Sequence, residues 1–237
     1  VIYYTDNRLQ GTRYEGIFLM AQKFISDSGL PIVCCSLRPV DFGDERIVLE
    51  GRERSYPTMA LQILTALEAS AADYVFFCEH DVLYHPSHFD FAPPTKDLYY
   101  YNVNNWRWLF PQDHLITYNE LTSLSSLCVD RELAIRHYKL RLQHIEEQGL
   151  DKVRGREPRW ARRFGYEPGT KPRRRGGITD EEHVKRRSAL PNIDIRHKWT
   201  FSRPKVHLDE FRRQPTNWRV ATMDEIQGWD LRGLFGL

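Results

Sequence analysis

Within its first 80 residues the chain alternates short apolar runs with helical stripes, and this order constrains the fold more than any other feature. Val1–Thr5 is apolar and ends at Asp6-Asn7, as a buried strand entering a loop does. Glu15–Ser28 places apolar residues at 17, 18, 20, 21, 24 and 25, a helical stripe that Gly29 stops. Pro31–Leu37 reads as a second strand. Pro57–Ser70 reads as a second helix, with Ser55 or Tyr56 near its start and Pro57 close to its first position. Asp73–Cys78 reads as a third strand. Strand, helix, strand, helix, strand predicts a parallel α/β sheet with right-handed crossovers. Further on, Leu98–Val103 is expected to be a strand and Asp130–Gln148 a long helix. Ile193–Arg196 and Lys205–Leu208 are expected to be late strands. Met223–Gln227 looks helical, and the apolar end Leu231–Leu237 is expected to pack on the sheet or meet another subunit. No internal repeat is visible.

Composition bounds the class. The 237 residues are 41% hydrophobic and 13% aromatic with a net charge of +2, which excludes a disordered chain. Apolar runs such as Val75–Cys78 fall far short of the roughly 20 residues a membrane-spanning helix needs. Cys34, Cys35, Cys78 and Cys128 show no CxxC spacing, so buried free thiols in a reducing compartment are expected. No signal peptide is expected ahead of Val1, and the expected location is cytoplasmic, free or peripheral to a membrane surface. The net charge hides an asymmetry. Residues 152–175 carry ten basic side chains against Glu157 and Glu167, so this stretch is strongly basic and the rest of the chain acidic. Pro158, Pro168 and Pro172 mark it as a long loop, with at most a short helix around Arg159–Phe164. The expected organisation is one domain over 1–237, with a basic insertion at about 150–177 and a tail from about 206.

In parallel sheets, ligands bind beyond the carboxyl ends of the strands. Two such ends are acidic: Thr5-Asp6-Asn7, and Cys78-Glu79-His80-Asp81. In an extended segment Glu79 and Asp81 point to one side, and two such carboxylates repel unless a cation lies between them. Hard divalent ions such as Mg²⁺ or Mn²⁺ suit those oxygens, and substrate phosphates often complete their shell. The plain alternative is a solvated acidic loop. Late in the chain, His197 follows a short strand and offers a nitrogen ligand, while Arg196, Lys198 and Arg203 offer charge to phosphate. The plain alternative is that His197, in a basic aromatic stretch, is a surface or packing residue. A zinc reading of His80, His85 and His88 lacks a cysteine partner. No P-loop, G-x-G-x-x-G, H-E-x-x-H or G-x-S-x-G motif occurs.

Taken together, Asp6 after the first strand, the loop Arg52-Glu53-Arg54-Ser55-Tyr56-Pro57, and the acidic strand end Phe76-Phe77-Cys78-Glu79-His80-Asp81-Val82 resemble the nucleotide-sugar glycosyltransferases of the GT-A fold. The likeness covers about 1–125 and 176–205, with Glu79 standing where the first acid of a DxD motif is usually Asp. It implies an α/β fold with a mixed, Rossmann-like central sheet flanked by helices, and a UDP- or GDP-sugar donor. Asp81 and Glu79 would hold Mn²⁺ or Mg²⁺ against the donor diphosphate, with His197 as a late ligand. Thr5 and Asp6 would contact the base or ribose, Arg54 would approach the pyrophosphate, and His80 and Arg203 would border the donor. An inverting enzyme also needs a base, which the likeness puts at a helix start: Asp180, Glu181 or Glu182, opening a helix over Asp180–Ser188. The same residues read plainly as a capping box, Thr179-x-x-Glu182.

Trp106, Trp108, Trp199, Trp218 and Trp229 are candidates for stacking on a sugar, and Tyr99–Trp106 for edging a pocket. Through the basic loop 152–175 the acceptor would be a glycan, a lipid-linked hydroxyl or a hydroxylated DNA base. Two rival readings remain. One is a nucleic-acid-binding α/β module using that loop. The other is a metal-dependent nucleotidyltransferase or phosphoesterase, which needs a further carboxylate; Asp90 and Asp97 are candidates by proximity alone.

Overall fold

The apolar runs form strands buried on both faces. In the computed structural model, which describes residues 1–147, 149, 167–170, 183–200 and 205–237, the protein is α/β with two mixed sheets. β1 (Ile2–Thr5), β2 (Val33–Ser36), β3 (Glu45–Val48) and β4 (Tyr74–Glu79) are parallel, with β1 between β2 and β4. The crossovers are α1 (Glu15–Ser26) and α2 (Tyr56–Ala69). After β5 (Val82–Leu83) come β6 (Tyr99–Asn102), β7 (Asn105–Leu109), β8 (Leu115–Thr117) and β9 (Leu127–Asp130), then α3 (Arg131–Glu147). β10 (His183–Arg186), β11 (Asn192–Arg196), β12 (Arg219–Ala221) and α4 (Leu231–Phe235) complete the chain. The seven-stranded sheet runs β10-β6-β9-β4-β1-β2-β3, and the five-stranded one β12-β8-β7-β11-β5.

Alternation along β1 separates two cores. Ile2 and Tyr4 face α2 and α3, where Ile63, Leu67, Phe77, Leu133 and Tyr138 are buried. Tyr3 faces α1, and that core continues through Cys78 and Tyr84 into Trp108, Leu115, Ile193 and Ile195 of the second sheet. The two sheets therefore share apolar packing, and the turn from β4 into β5 crosses between them. Helix α2 starts where expected: Ser55 accepts the amide of Thr58 at 3.1 Å, and Pro57 stands in its first turn. Cys34, Cys35, Cys78 and Cys128 are buried free thiols. No helix among the described residues is long and apolar enough to cross a membrane.

Several expectations fail for local reasons. The described end of the expected helix Asp180–Ser188 is a strand, because β10 pairs in register with β6, Val184 opposite Tyr100. Lys205–Leu208 is no strand: Glu210 accepts the amides of Val206 at 2.6 Å and His207 at 2.9 Å, consuming groups a ladder would need. Met223–Gln227 shrinks to one 3₁₀ turn, Met223–Glu225, with Glu225 accepting the Thr222 amide at 2.7 Å. The apolar end does pack back: Phe235 meets Trp108 at 5.2 Å and Phe110 at 5.3 Å between ring centroids. Residues 152–166 and 171–175 of the basic stretch, including the expected helix Arg159–Phe164, lie outside the described residues. The described part, Glu167–Thr170, docks on β6. The Tyr101 hydroxyl donates to the Pro168 carbonyl at 2.6 Å, and Gly169, at φ 72°, lies so close to Tyr99 that a Cβ would sit 2.5 Å from the ring.

Candidate functional site

A cleft of about 200 Å³ opens at the carboxyl ends of β1 and β4. Thr5, Asp6, Arg54, Glu79, His80 and Asp81 all line it, so the residues picked out on separate loops converge. Asn7 sets the first loop. With φ at 59°, it turns its Oδ1 toward the amides of Leu37 and Arg38, both at 2.9 Å, fastening the end of β1 to the end of β2. Thr5 is 1% exposed; its hydroxyl accepts the Asn7 amide at 3.0 Å and its carbonyl accepts Gln62 Nε2 at 2.8 Å. Asp6 then faces the cleft. One oxygen is ion-paired to Arg54, while Oδ1 accepts the Arg8 amide at 3.0 Å and lies 3.9 Å from His80 Nε2.

The chain does not stay extended past Glu79. β4 ends there, His80 and Asp81 form a turn, and β5 begins at Val82. The simple alternation of Glu79 with Asp81 is therefore broken. Glu79 sits beside Tyr4 in register, and its Oε1 accepts the Tyr4 hydroxyl at 2.6 Å. Burial, then the charge of Asp81, pushes the Glu79 carboxyl up to about 8. Asp81 behaves oppositely. Burial opposes its charge, but the His197 hydrogen bond and nearby positive groups outweigh that and hold it down at about 2.

His197 reaches Asp81 across 116 residues of sequence, Nε2 to Oδ2 at 3.2 Å. It gets there because β11 pairs antiparallel with β5, and the Ile195 amide donates to the Asp81 carbonyl at 2.8 Å. A tight turn then folds His197–Thr200 over the cleft. Thr200 Oγ1 accepts the His197 amide at 2.9 Å, the Trp199 amide donates to His197 Nδ1 at 3.2 Å, and Arg54 Nη2 donates to the Trp199 carbonyl at 3.1 Å. The Tyr14 ring packs on His197 at 5.5 Å and on Trp199 at 5.2 Å. Since Nδ1 accepts a proton donor, Nε2 carries the imidazole hydrogen and donates to Asp81.

His80, Asp81 and His197 offer ligand atoms all within 4.8 Å of one another. Glu79 is not in that group. His80 Nδ1 is buried without a hydrogen-bond partner, so a nitrogen is available to a cation there. Two imidazoles and one carboxylate fit Mn²⁺ better than the all-oxygen shell Mg²⁺ prefers. The charge of the wall agrees: Asp6, Asp81, Glu167 and Asp194 stand against Arg54, Arg107 and Arg196, with Glu79 pushed toward its neutral form.

Asp194 is the further acid that sequence reasoning missed. Asp90 and Asp97 are exposed and do not line the cleft. Asp194 does, at 4% exposure, but Arg196 Nη2 bonds its Oδ2 and Arg107 Nε lies 3.7 Å away. A carboxylate clamped by two guanidiniums is poorly placed as a metal ligand, which weakens a two-metal reading. Thr122, Ser123, Ser125 and Thr200 add hydroxyls to the wall, and Glu167 borders it.

Other candidates fall elsewhere. His88 is fully buried, with Asn102 Nδ2 at 3.1 Å and Asn192 Nδ2 at 3.0 Å from its Nδ1, and burial drives its pKa well down; His85 pairs with Ser87. Neither joins His80, so the zinc grouping is not formed. Tyr99, Tyr100 and Tyr101 are buried in β6 and do not reach the cleft. Trp108 is core, Trp229 packs against it and donates to Pro191, and Trp199 alone of the five tryptophans lines the cleft. Asp180, Glu181, Glu182 and Arg203 lie outside the described residues. No known family model matches the chain, and no curated protein matches it.

Proposed function

We propose that this protein is a GT-A-like, metal-dependent glycosyltransferase that moves a hexose-like sugar from a nucleotide donor to a hydroxyl acceptor. The observation that carries the reading is Asp81 meeting His197, with His80 alongside, in a cleft at the carboxyl ends of parallel strands. His80, Asp81 and His197 would hold the ion, which when bound offsets charge on the departing nucleoside diphosphate. Asp6 and the buried Thr5–Gln62 junction border the end where the base and ribose would lie. Arg54 and Arg196 supply guanidinium charge for phosphate. To hold an ion through Nε2, His197 would carry its ring hydrogen on Nδ1 instead, where it could no longer accept the Trp199 amide.

The test is a thermal shift across nucleoside diphosphates and nucleotide sugars, with and without Mn²⁺. Binding to the folded state raises the melting temperature by mass action. A Mn²⁺-dependent rise with one nucleotide supports the reading and identifies the base. No rise with any nucleotide, alongside salt-sensitive DNA binding, would move the protein to the nucleic-acid-binding class.

Arg54 has a second task, because it steadies the Trp199 carbonyl of the turn that presents His197. Arg54→Met is expected to lower Mn²⁺ affinity about 10-fold even without nucleotide, as loss of an outer-shell partner does. Titration of free Mn²⁺ by electron paramagnetic resonance reads this directly. Unchanged affinity would leave Arg54 as a diphosphate contact only.

A further inference from the structure

One aromatic group belongs to neither core. Tyr118, Phe211 and Trp218 pack in a closed triangle with centroid separations of 5.0, 5.5 and 5.7 Å. Tyr118 is buried, while Phe211 and Trp218 keep part of their surface. The three form a small aromatic cluster apart from the two main cores, with Tyr118 at 8% exposure as its buried member. Phe211 and Trp218 are only partly covered, so ring surface remains open beside the polar cleft.

The group adjoins the cleft through Arg107. That side chain lines the cleft, donates from Nη1 to the Tyr118 hydroxyl at 2.7 Å, and lies 5.1 Å from the Tyr118 ring centroid. The surroundings are cationic. Lys205 sits 4.7 Å from the Phe211 centroid and Arg219 lies 5.3 Å from that of Trp106. Arg212 and Arg213, which follow Phe211 in the sequence, are exposed. Of the nearby acids, Glu210 spends its carboxylate on the amides of Val206 and His207, Glu120 lies against Lys185 and Arg187, and Asp209 is exposed.

The backbone is held for this arrangement. Asn119 Oδ1 accepts the Thr216 amide at 2.7 Å, and the Asn119 amide donates to the Thr216 carbonyl at 2.7 Å. Asn119, Glu120 and Asn217 all have positive φ, at 55°, 45° and 53°. Asparagine adopts this region readily, whereas for Glu120 it costs free energy.

Resting on the transferase reading, we propose that this triangle and its cations are the acceptor subsite, and that the acceptor is an acidic saccharide. A sugar ring would lie on Trp218, and its carboxylate or phosphate would meet the guanidiniums and Lys205. The compact triangle favours one ring-sized group over a single-stranded nucleic acid, which needs rings set apart to take successive bases.

The test is calorimetric binding of four probes: an oligogalacturonate, its methyl ester, a phosphorylated mannose oligomer and an oligo-dT. Wild type is expected to bind the uronate or the phosphorylated oligomer, with the neutral ester at least about 10-fold weaker. Which of the two acidic probes binds tells carboxylate from phosphate. Trp218→Ala is expected to weaken binding about 10-fold, and Arg219→Gln to reduce the preference for acid over ester. Both variants should keep the Mn²⁺–nucleotide thermal shift, which also shows that they fold. Binding of neither saccharide class, or of oligo-dT in their place, overturns the subsite even if the nucleotide shift is present. Saccharide binding without any nucleotide shift overturns the transferase and, with it, the acceptor assignment.

Discussion

Asp81→Asn should abolish Mn²⁺-dependent stabilisation by nucleotide while Glu79→Gln preserves it. The two acids are two residues apart, yet they occupy different environments. Asp81 sits among His80 and His197, and is held ionised by the His197 hydrogen bond and the surrounding positive charge. Glu79 takes a proton donor from Tyr4 and is pushed toward its neutral form by burial and by Asp81 itself. Asparagine keeps the shape of Asp81 and an oxygen for His197, but removes the charge a divalent ion needs. Losing a ligand should cost more than the 10–100-fold typical of a lost outer-shell partner. At ligand concentrations near 100 times the wild-type Kd, binding stabilises by about 2.7 kcal/mol, which raises the melting temperature by about 5–11 °C for a chain of this length. A 100-fold weaker variant would retain about 0.4 kcal/mol, a rise of about 1–2 °C. The readout is the shift within each variant, so differences in metal-free stability do not enter. Equal losses in Asp81→Asn and Glu79→Gln would mean that Glu79 turns in as a ligand, restoring the acid pair in place of the His80–Asp81–His197 group.

That contrast also marks where sequence reasoning stops. β1 and β4 were legible because strands buried on both faces read as continuous apolar runs, and their carboxyl ends placed Asp6 and Asp81 in one cleft. That His80 rather than Glu79 stands with Asp81 and His197 was not legible, since it depends on a turn beginning one residue after the strand. β3 is an exposed edge, Glu-Arg-Ile-Val, with no apolar run to announce it. β9 passes directly into α3: Asp130 ends the strand and caps the helix by accepting the Leu133 amide at 2.9 Å. No loop residue separates the two, so the sequence reads as helix alone. Asp194 was invisible for a different reason. Its partner Arg107 faces it across the β11–β7 register, and register between distant strands is a tertiary outcome.

Asp194 therefore carries the second large expected effect, on stability. It is buried between Arg107 and Arg196, whose side chains are also mostly covered. Burial raises the Asp194 carboxyl and the two guanidiniums pull it back, whereas burial and the charge of Arg196 lower Arg107. Two like charges thus share one carboxylate in a low-dielectric wall. Asp194→Ala leaves both buried cations without it, and breaking a buried pair from one side costs about 3–5 kcal/mol. For a chain of this length the melting temperature should fall by about 6–20 °C, with a lower urea midpoint and an unchanged slope. Adding Arg196→Met to Asp194→Ala should cost less than the sum of the two single losses, because the Asp194–Arg196 contact is then lost only once. Mn²⁺ affinity of the folded Asp194→Asn protein should stay within about threefold of wild type, since a clamped carboxylate is no ligand. If instead Asp194→Asn lost Mn²⁺ while its melting temperature held, Asp194 would be a metal ligand. The cleft would then have the extra carboxylate of a two-metal phosphoryl-transfer site, and the nucleotidyltransferase would replace the glycosyltransferase.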